Sequence, residues 1–178
     1  MEYSDWDLVR EIKNGNEDAM EILIRRYYPQ VFRYVKQMIV SEQDSYDVTQ
    51  DIFLSVIQNI SRYLPLKKFG SWLFTIAHNK CMDYFKTNRS NRFADITEIE
   101  MHDSGTPFDK QIMDSIVMDE ALAKLTPPQR EVVILHFIHR FTAKQISRMT
   151  QTPLPTIKSR IAVSRKRLKE LLEENRYD

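Results

Sequence analysis

The sequence has little of what would anchor it in a membrane or cross-link it covalently. Among its 178 residues there is one cysteine, so no disulfide can form within the chain, and this fits a reducing compartment. No apolar run approaches the roughly 20 residues that span a bilayer. The N-terminal stretch MEYSDWDLVREIK is acidic and amphipathic, unlike a secretory signal peptide. We therefore expect a cytoplasmic protein with no membrane insertion of its own.

The chain also has few glycines and a small net charge. The chain has three glycines and many Leu, Ile, Lys, Arg, Glu and Gln residues, a composition that favours helices over strands. Its formal net charge is +1, so a function driven by charge requires an uneven distribution along the chain. No segment alternates apolar and polar residues convincingly enough to predict a strand. The composition thus predicts helices with localised charged surfaces.

Apolar residues recur at helical spacing in two blocks, which a polar stretch separates. Ser, Thr, Asn, Gly and Pro interrupt the periodicity over residues 87–111, and residues 95–120, which overlap this stretch, hold eight acids and one base. The sequence therefore predicts an all-α protein of two small helical domains, the second containing a helix-turn-helix. The predicted parts are a first domain at 1–92, a flexible acidic linker at 93–111 and a second domain at 112–178.

Gly15 and Pro29 are expected to interrupt the helices of the first block. Gly15 follows the apolar pattern of the first helix, so we expect that helix to end there, with Asn16 capping the next one. Pro29 lies inside the second pattern, where it removes a backbone donor and clashes with the preceding turn. We therefore expect the second helix to break or kink at Pro29.

The stretch TAKQISRMTQTPLPTIKSRIAVSRKRL has the layout of a helix-turn-helix. Two helical patterns, at 142–150 and 155–168, flank a break that contains Pro153 and Pro155. Residues 156–169 carry six bases and no acid, a density that suits phosphates, and arginine can also grip guanine with two hydrogen bonds. A solvated basic helix end is the alternative, although solvated faces usually mix charges of both signs. The pattern favours binding of duplex DNA.

Four motifs in order extend this interpretation to nearly the whole chain. They are DVTQDIFLSV at 47–56, FGSWLFTIAHNKCMDYFK at 69–86, LTPPQREVVILHF at 125–137 and PLPTIKSRI at 153–161. Together they resemble the conserved segments of bacterial RNA polymerase sigma factors of the extracytoplasmic-function (ECF) type, in the sigma-70 family. The resemblance implies an alternative sigma factor that binds core RNA polymerase and directs promoter recognition, promoter melting and transcription initiation.

Several positions depart from the family pattern. Pro155 stands where the family has glycine, and Tyr46 replaces a usual acid. Gln151 occupies a turn position that is often glycine, and a left-handed glutamine there would cost on the order of 1 kcal/mol. Val163 stands where an arginine is frequent, so one DNA contact of the family is lost. The promoter preference of the family therefore does not transfer to this chain.

The resemblance also implies partners and sites. The partners are the clamp and flap elements of core RNA polymerase, promoter DNA, and an anti-sigma factor of the kind that is often membrane-anchored. The polymerase-binding residues would be Asp47, Gln50 and Asp51, which a helix places on one exposed patch.

The implied DNA-binding residues fall into two sets. The first set mixes aromatic and basic side chains, as single-stranded DNA of the −10 element requires; its members are Tyr63, Lys67, Phe69, Asn79, Lys80, Lys86 and Arg89. We expect Trp72 to lie in the core, with Tyr63 and Phe69 more open. The second set would read the −35 element as duplex; its members are Thr156, Lys158, Ser159, Arg160, Ser164 and Arg165.

Other classes of function have weaker support. A stand-alone helix-turn-helix regulator that binds operator DNA is the alternative, and it would need no polymerase-docking face. His78 with Cys81, and His136 with His139, have the spacing of zinc ligands, but the two pairs fall in different predicted domains. We expect no metal, no cofactor and no enzymatic activity.

Overall fold

The structure is a computed structural model that describes residues 3–39, 41–64, 68–88 and 118–174. The first domain forms four helices and a short 3₁₀ turn, with no strand in the described residues, as the composition predicted. Its elements are α1 (Asp5–Lys13), α2 (Glu17–Met38), α3 (Glu42–Asn59), the 3₁₀ turn (Ile60–Arg62) and α4 (Phe69–Thr87).

Side-chain caps fix where these helices begin. The Ser4 hydroxyl accepts a hydrogen bond from the Asp7 backbone N–H at 3.2 Å, and the Asp7 carboxylate accepts one from Ser4 N–H at 3.3 Å. Asn16 caps α2 in the same manner through Ala19 N–H at 3.3 Å. Between these helices Gly15 has a φ of 89°, which only glycine adopts without strain. The predicted end of the first helix at Gly15 is therefore confirmed.

Helix α2 runs through Pro29 as one helix, so of the two expected outcomes, a break or a kink, the break is wrong. Buried residues lie on both sides of the proline, Leu23 before it and Val31 and Tyr34 after it. Burial of apolar side chains in both halves against one core favours a single continuous helix, and this outweighs the lost backbone hydrogen bond. Pro29 itself is exposed, so its ring meets solvent.

The second domain contains the predicted helix-turn-helix. Residues 118–123 are helical, and the later elements are α5 (Pro127–Val133), its π-helical continuation (Ile134–Ile138), α6 (Ala143–Met149) and α7 (Leu154–Glu174). The turn between α6 and α7 contains Gln151 with a φ of 51°, so this residue adopts the left-handed conformation whose cost the sequence raised. The predicted linker at 93–111 and the start of the second predicted domain at 112–117 lie outside the described residues.

The two domains pack directly against each other. Helix α4 contacts α6, and α2 contacts α5. The Phe74 ring of α4 lies against His139 and Phe141 of the second domain, with centroid separations of 4.5 and 5.1 Å. Aromatic side chains thus join the two helical cores at their boundary.

Candidate nucleic-acid interface

Helix α7 presents one apolar and one basic side. Ile157 and Leu171 are buried on its inner side, with Ile161 and Leu168 partly buried between them. These positions are three, four or seven residues apart, so a single stripe of the helix faces the core. The remaining surface of α7 is left to solvent.

The exposed side of α7 carries positive charge near its start that has no salt-bridge partner among the described residues. Lys158, Ser159 and Arg165 are exposed, whereas Thr156 and Arg160 are half-buried. Within the described residues, the salt bridges of α7 lie towards its C-terminal end; they are Arg167 with Glu170 at 3.4 Å and Lys169 with Glu173 at 3.6 Å. The bases of the first turns therefore remain available to an external anion.

The prediction that Ser164 contacts DNA is wrong. Ser164 is fully buried, and its Oγ has no hydrogen-bond partner among the described residues. It lies seven residues after Ile157, and seven residues are about two helical turns, so both side chains face the core. Because basic residues follow Ser164 in the sequence, Ser164 was assigned to the same exposed side of the helix.

From the sequence, Val163 was interpreted only as the absence of an arginine that is frequent in the family. Its side chain is 53% exposed and lies one helical turn beyond Ser159 on the solvent side of α7. An apolar side chain in such a place can contact the methyl group of thymine. The signal in the sequence was the four-residue spacing from Ser159.

The structure buries two of the predicted −10 residues, which we had expected to be more open. Tyr63 and Phe69 are 6% and 3% exposed, and their ring centroids lie 5.6 Å apart. Trp72, expected in the core, is partly buried beside them at centroid separations of 5.1 and 5.5 Å. Burial, and then the nearby Asp5 carboxylate, raise the pKa of Tyr63. In this conformation neither Tyr63 nor Phe69 can stack on a base.

The polar members of the −10 set are more accessible. Asn79 and Lys86 are exposed on α4, and Lys80 is half-buried. The remaining members, Lys67 and Arg89, lie outside the described residues. The accessible part of this set therefore lies on one helix.

The predicted polymerase-binding residues share one exposed face of α3. Asp47, Gln50 and Asp51 are all exposed, and the Asp47 carboxylate accepts a long 3.5 Å hydrogen bond from Gln43 Nε2. Leu54 follows on the same face at helical spacing and is 54% exposed. Sequence analysis missed Leu54, although its position seven residues after Asp47 marks the same face. The face thus combines two carboxylates, an amide and an apolar side chain.

Residues of both candidate DNA-binding sets line one cavity between the domains. The cavity has a volume of about 530 Å³. Asn79 and Lys86 line it from α4, and Arg160 lines it from α7. The α6–α7 turn, including Gln151, contributes another part of the wall. Parts of the two sets, far apart in sequence, therefore meet in this conformation.

A buried hydrogen-bond network lies at the same boundary. Tyr34 Oη donates to Glu131 Oε1 at 2.9 Å, and His78 Nδ1 lies 2.5 Å from the same oxygen. The three residues are 0%, 6% and 9% exposed for Tyr34, Glu131 and His78. Burial, followed by the charge of Glu131, raises the pKa of Tyr34 well above its usual value. His78 thus contacts Glu131, a partner that its spacing from Cys81 does not indicate.

Two family models match this chain, one on each domain. Sigma-70 region 2 matches residues 23–91, and Sigma-70, region 4 matches residues 115–168. The first match contains α3 and α4, and the second contains the helix-turn-helix. The candidate polymerase face and both candidate DNA-binding sets therefore fall inside the matched regions.

Similar proteins agree with these matches. The ECF RNA polymerase sigma factor SigK of Mycobacterium sp. (strain KMS) is 30% identical over 176 residues, which cover 93% of this chain and 89% of that protein. SigW of Bacillus subtilis (strain 168) is 22% identical over 179 residues, covering 93% of this chain and 95% of that protein. The sigma factor RpoE, in its complex with the anti-sigma factor NepR from Bartonella quintana, has a TM-score of 0.70 at 23% identity. That match covers 86% of this chain and 96% of the RpoE chain.

The chain belongs to the ECF RNA polymerase sigma factors of the sigma-70 family. It is an alternative sigma factor that directs transcription initiation, and the comparisons do not favour a stand-alone operator-binding regulator. Sigma factors are not enzymes, and they bind RNA polymerase and promoter DNA. None of the helices in the described residues is long and apolar enough to cross a membrane.

Proposed function

We propose that residues 1–92 dock on the clamp of core polymerase through the exposed face of α3. The proposed contacts are Asp47, Gln50, Asp51 and Leu54. An exposed leucine beside carboxylates suits a protein partner, because binding removes its apolar surface from water while the charges fix the orientation. The second domain, residues 112–178, contacts the flap and the −35 element, and residues 93–111 connect the two.

The observation that carries this proposal is the unpaired basic side of α7. Lys158, Arg160 and Arg165 supply positive charge for phosphates or guanine, with no acid paired to them in the described part of the chain. Thr156 and Ser159 add hydroxyl groups that can reach base edges or phosphates. Val163 adds an apolar contact that suits a thymine methyl. Together these residues read the −35 element as duplex.

The −10 element is assigned to the first domain. Asn79 can donate to and accept from a base edge, and Lys80 and Lys86 can meet phosphates. Lys67 and Arg89 are proposed for the same role on the family resemblance. Tyr63 and Phe69 belong to the set as well, and they can stack on bases only after leaving the aromatic cluster that buries them.

An anti-sigma factor is the proposed regulator. Solved relatives include RpoE in complex with the anti-sigma factor NepR and CnrH in complex with the cytosolic domain of CnrY. We extend the same kind of partner to this chain and, from the family resemblance, expect it to be membrane-anchored. The chain itself works in the cytoplasm, because bacterial polymerase and promoter DNA are found there.

Run-off transcription tests the proposed function. Bacterial core RNA polymerase is mixed with the protein and a library of genomic promoter fragments. We expect discrete transcripts that disappear with Lys158→Ala plus Arg160→Ala, because both side chains lie on the proposed DNA-binding side. The matched control is Arg25→Ala plus Lys124→Ala, which removes two exposed positive charges that lie outside the helix-turn-helix and should leave the transcripts unchanged.

Two results would contradict the proposal. One is loss of transcripts in the control variant equal to that in the α7 variant, which would make charge alone responsible. The other is the absence of both transcripts and co-migration with core polymerase, together with binding of the protein alone to duplex DNA.

A further inference from the structure

Another cavity lies beside the −10 set and is lined largely by aromatic side chains. Its volume is about 580 Å³, a size that suits a small planar ligand. Its lining includes Tyr63 and Phe69, the two buried members of the −10 set, and Lys68, which lies between them in the chain. All of its described lining residues except Phe141 belong to the first domain. The cavity is therefore formed mainly by the domain that carries the −10 set.

Trp6 of α1 gives this cavity an exposed aromatic wall. The residue is 52% exposed, although tryptophan is on average highly buried. The guanidinium of Arg10 lies over the indole, 4.7 Å from the ring centroid, and this cation–π contact holds the ring in place. Because Arg10 can cover only one face of the indole, the exposed remainder is available to a planar ligand. Neither the polymerase face nor the two DNA-binding sets include Trp6.

The charges around the cavity suit a ligand that carries a phosphate. Asp5, a carboxylate that lines the cavity, accepts hydrogen bonds from Arg26 Nη1 at 2.7 Å and from Tyr27 Oη at 2.5 Å. Arg26 thus offsets the negative charge of Asp5. Lys68 is exposed at the cap of α4, where its ammonium can meet a phosphate. An aromatic surface beside an accessible cation is the combination that binds single-stranded nucleic acid.

We propose that Trp6 is a stacking platform for one unpaired base of the melted promoter strand, and that Lys68 contacts the phosphate beside that base. This inference rests on the proposed function, which assigns the −10 element to the first domain. Tyr63 and Phe69 need not leave their aromatic cluster for this contact, because the exposed ring is that of Trp6. Helix α1 therefore takes part in promoter binding beside the −10 residues of α4.

A promoter with a pre-melted strand tests this proposal on the full chain bound to core polymerase. The most active fragment from run-off transcription supplies the promoter, as a duplex whose −10 region continues as a single strand. Each fragment of a series carries one abasic site at a different position of that strand, so it lacks one base and keeps its phosphate. At the position that Trp6 contacts, we expect the wild-type holoenzyme to lose about tenfold in affinity, because one base–aromatic stack is lost.

Substitution of Trp6 identifies that position. Trp6→Ala should weaken binding of the intact fragment by a similar factor and make the abasic site there nearly neutral, since both changes remove the same contact. Trp6→Phe keeps an aromatic ring and should retain most of the response, which separates lost stacking from a general disturbance of α1. Ile22→Ala is the matched control and should behave as wild type. Ile22 is 42% exposed on α2 and is not among the described residues that line the cavity.

A fluorescent base gives a second readout at the same position. Stacking on an aromatic ring quenches the fluorescence of 2-aminopurine. This base should therefore be dimmer in the complex with the wild-type holoenzyme than in the complex with the Trp6→Ala holoenzyme. Equal fluorescence in the two complexes would contradict stacking on Trp6.

The proposed phosphate contact is tested by salt. Lys68→Ala should weaken binding by the same factor for intact and abasic fragments, because every fragment keeps its phosphates. It should also reduce the slope of log affinity against log salt concentration by about 0.7, the value for one cation on a single strand. A slope equal to that of wild type would overturn the phosphate contact.

Three other results have separate meanings. If each abasic site lowers the affinity of wild type and of Trp6→Ala by the same factor, the stacking platform is overturned and the proposed function stays intact. Weaker binding of Trp6→Ala to core polymerase without DNA would also overturn the platform, because Trp6 would then contact protein. If the wild-type protein neither binds core polymerase nor gives transcripts, the proposed function fails, and this inference fails with it.

Discussion

Tyr34 Oη and Glu131 Oε1 are joined by a 2.9 Å hydrogen bond between residues that lie 97 positions apart in the chain. The Tyr34 side chain has no exposure to solvent, so its hydroxyl depends on this one acceptor. The contact links α2 of the region 2 match to α5 of the region 4 match. Its strength therefore bears on both folding and domain packing.

The hydroxyl of Tyr34 contributes measurably to stability. We expect Tyr34→Phe to lower the free energy of unfolding by about 1 kcal/mol, because it removes a buried hydrogen bond and keeps the ring. Urea unfolding followed by circular dichroism measures the change. Tyr3→Phe removes an exposed hydroxyl and should have no effect. Equal stability of wild type and Tyr34→Phe would contradict a role for the bond.

The free energy of unfolding should depend on pH through the protonation of His139. Burial and the positive charge of Arg33 lower the pKa of His139 to about 4, from 6.5 in the unfolded chain. Tyr34 and the rings of Phe74 and Phe141 face it as well, and they offer no negative charge. The folded state therefore disfavours protonation, so stability is fully present above pH 6.5 and is lost as the pH falls towards 4.

The loss should be on the order of 2 kcal/mol in wild type. His139→Leu removes the titrating group, and its unfolding free energy should fall less between pH 7 and pH 4.5, as measured by urea titration. The difference between the two proteins cancels the pH dependence that the carboxylates and the other histidines contribute to the free energy of unfolding. Parallel pH profiles for wild type and His139→Leu would refute the assignment.

The left-handed Gln151 makes the turn of the helix-turn-helix strained. Gln151→Gly should raise the free energy of unfolding by up to about 1 kcal/mol, because glycine adopts a φ of 51° without a Cβ clash. Gly15→Ala is the opposite case. Its φ is 89°, and alanine should destabilise the chain there although the space around it is empty. Thermal unfolding should show a higher melting temperature for Gln151→Gly and a lower one for Gly15→Ala. A lower melting temperature for Gln151→Gly would be inconsistent with strain at this residue.

Val163 should make promoter activity depend on a thymine methyl. Deoxyuridine in place of each thymine of the −35 element removes one methyl group and leaves base pairing intact. At one position we expect transcription by wild type to fall about fourfold, since a buried methyl contributes roughly 0.8 kcal/mol. Val163→Ala should show little response to the same replacement. A loss of equal size in both proteins would assign the methyl to another residue.

Local features of the fold could be predicted from the sequence because their causes lie within a few residues. Gly15 and Asn16 act through neighbours at most four positions away, and the structure has both as predicted. The outward side of α7 followed from its density of bases. The error at Ser164 arose because residue type was given more weight than the seven-residue spacing from Ile157.

Features of the domain boundary could not be predicted in this way. Glu131 pairs with His78, which is 53 positions away, and no periodicity in either helix reports such a partner. The burial of Tyr63 and Phe69 likewise depends on how α1 and α4 pack around the 3₁₀ turn. Pro29 shows the same effect, because tertiary packing overrides a strong local preference.

The division of the network between the domains matters for anyone who studies the parts separately. Two of its side chains belong to the first domain, and the carboxylate that serves them belongs to the second. A fragment that ends before α5 therefore keeps a tyrosine and a histidine that have lost their shared acceptor and must turn to water. The stability measured on such a fragment is therefore a different quantity from the stability of the same helices in the intact chain.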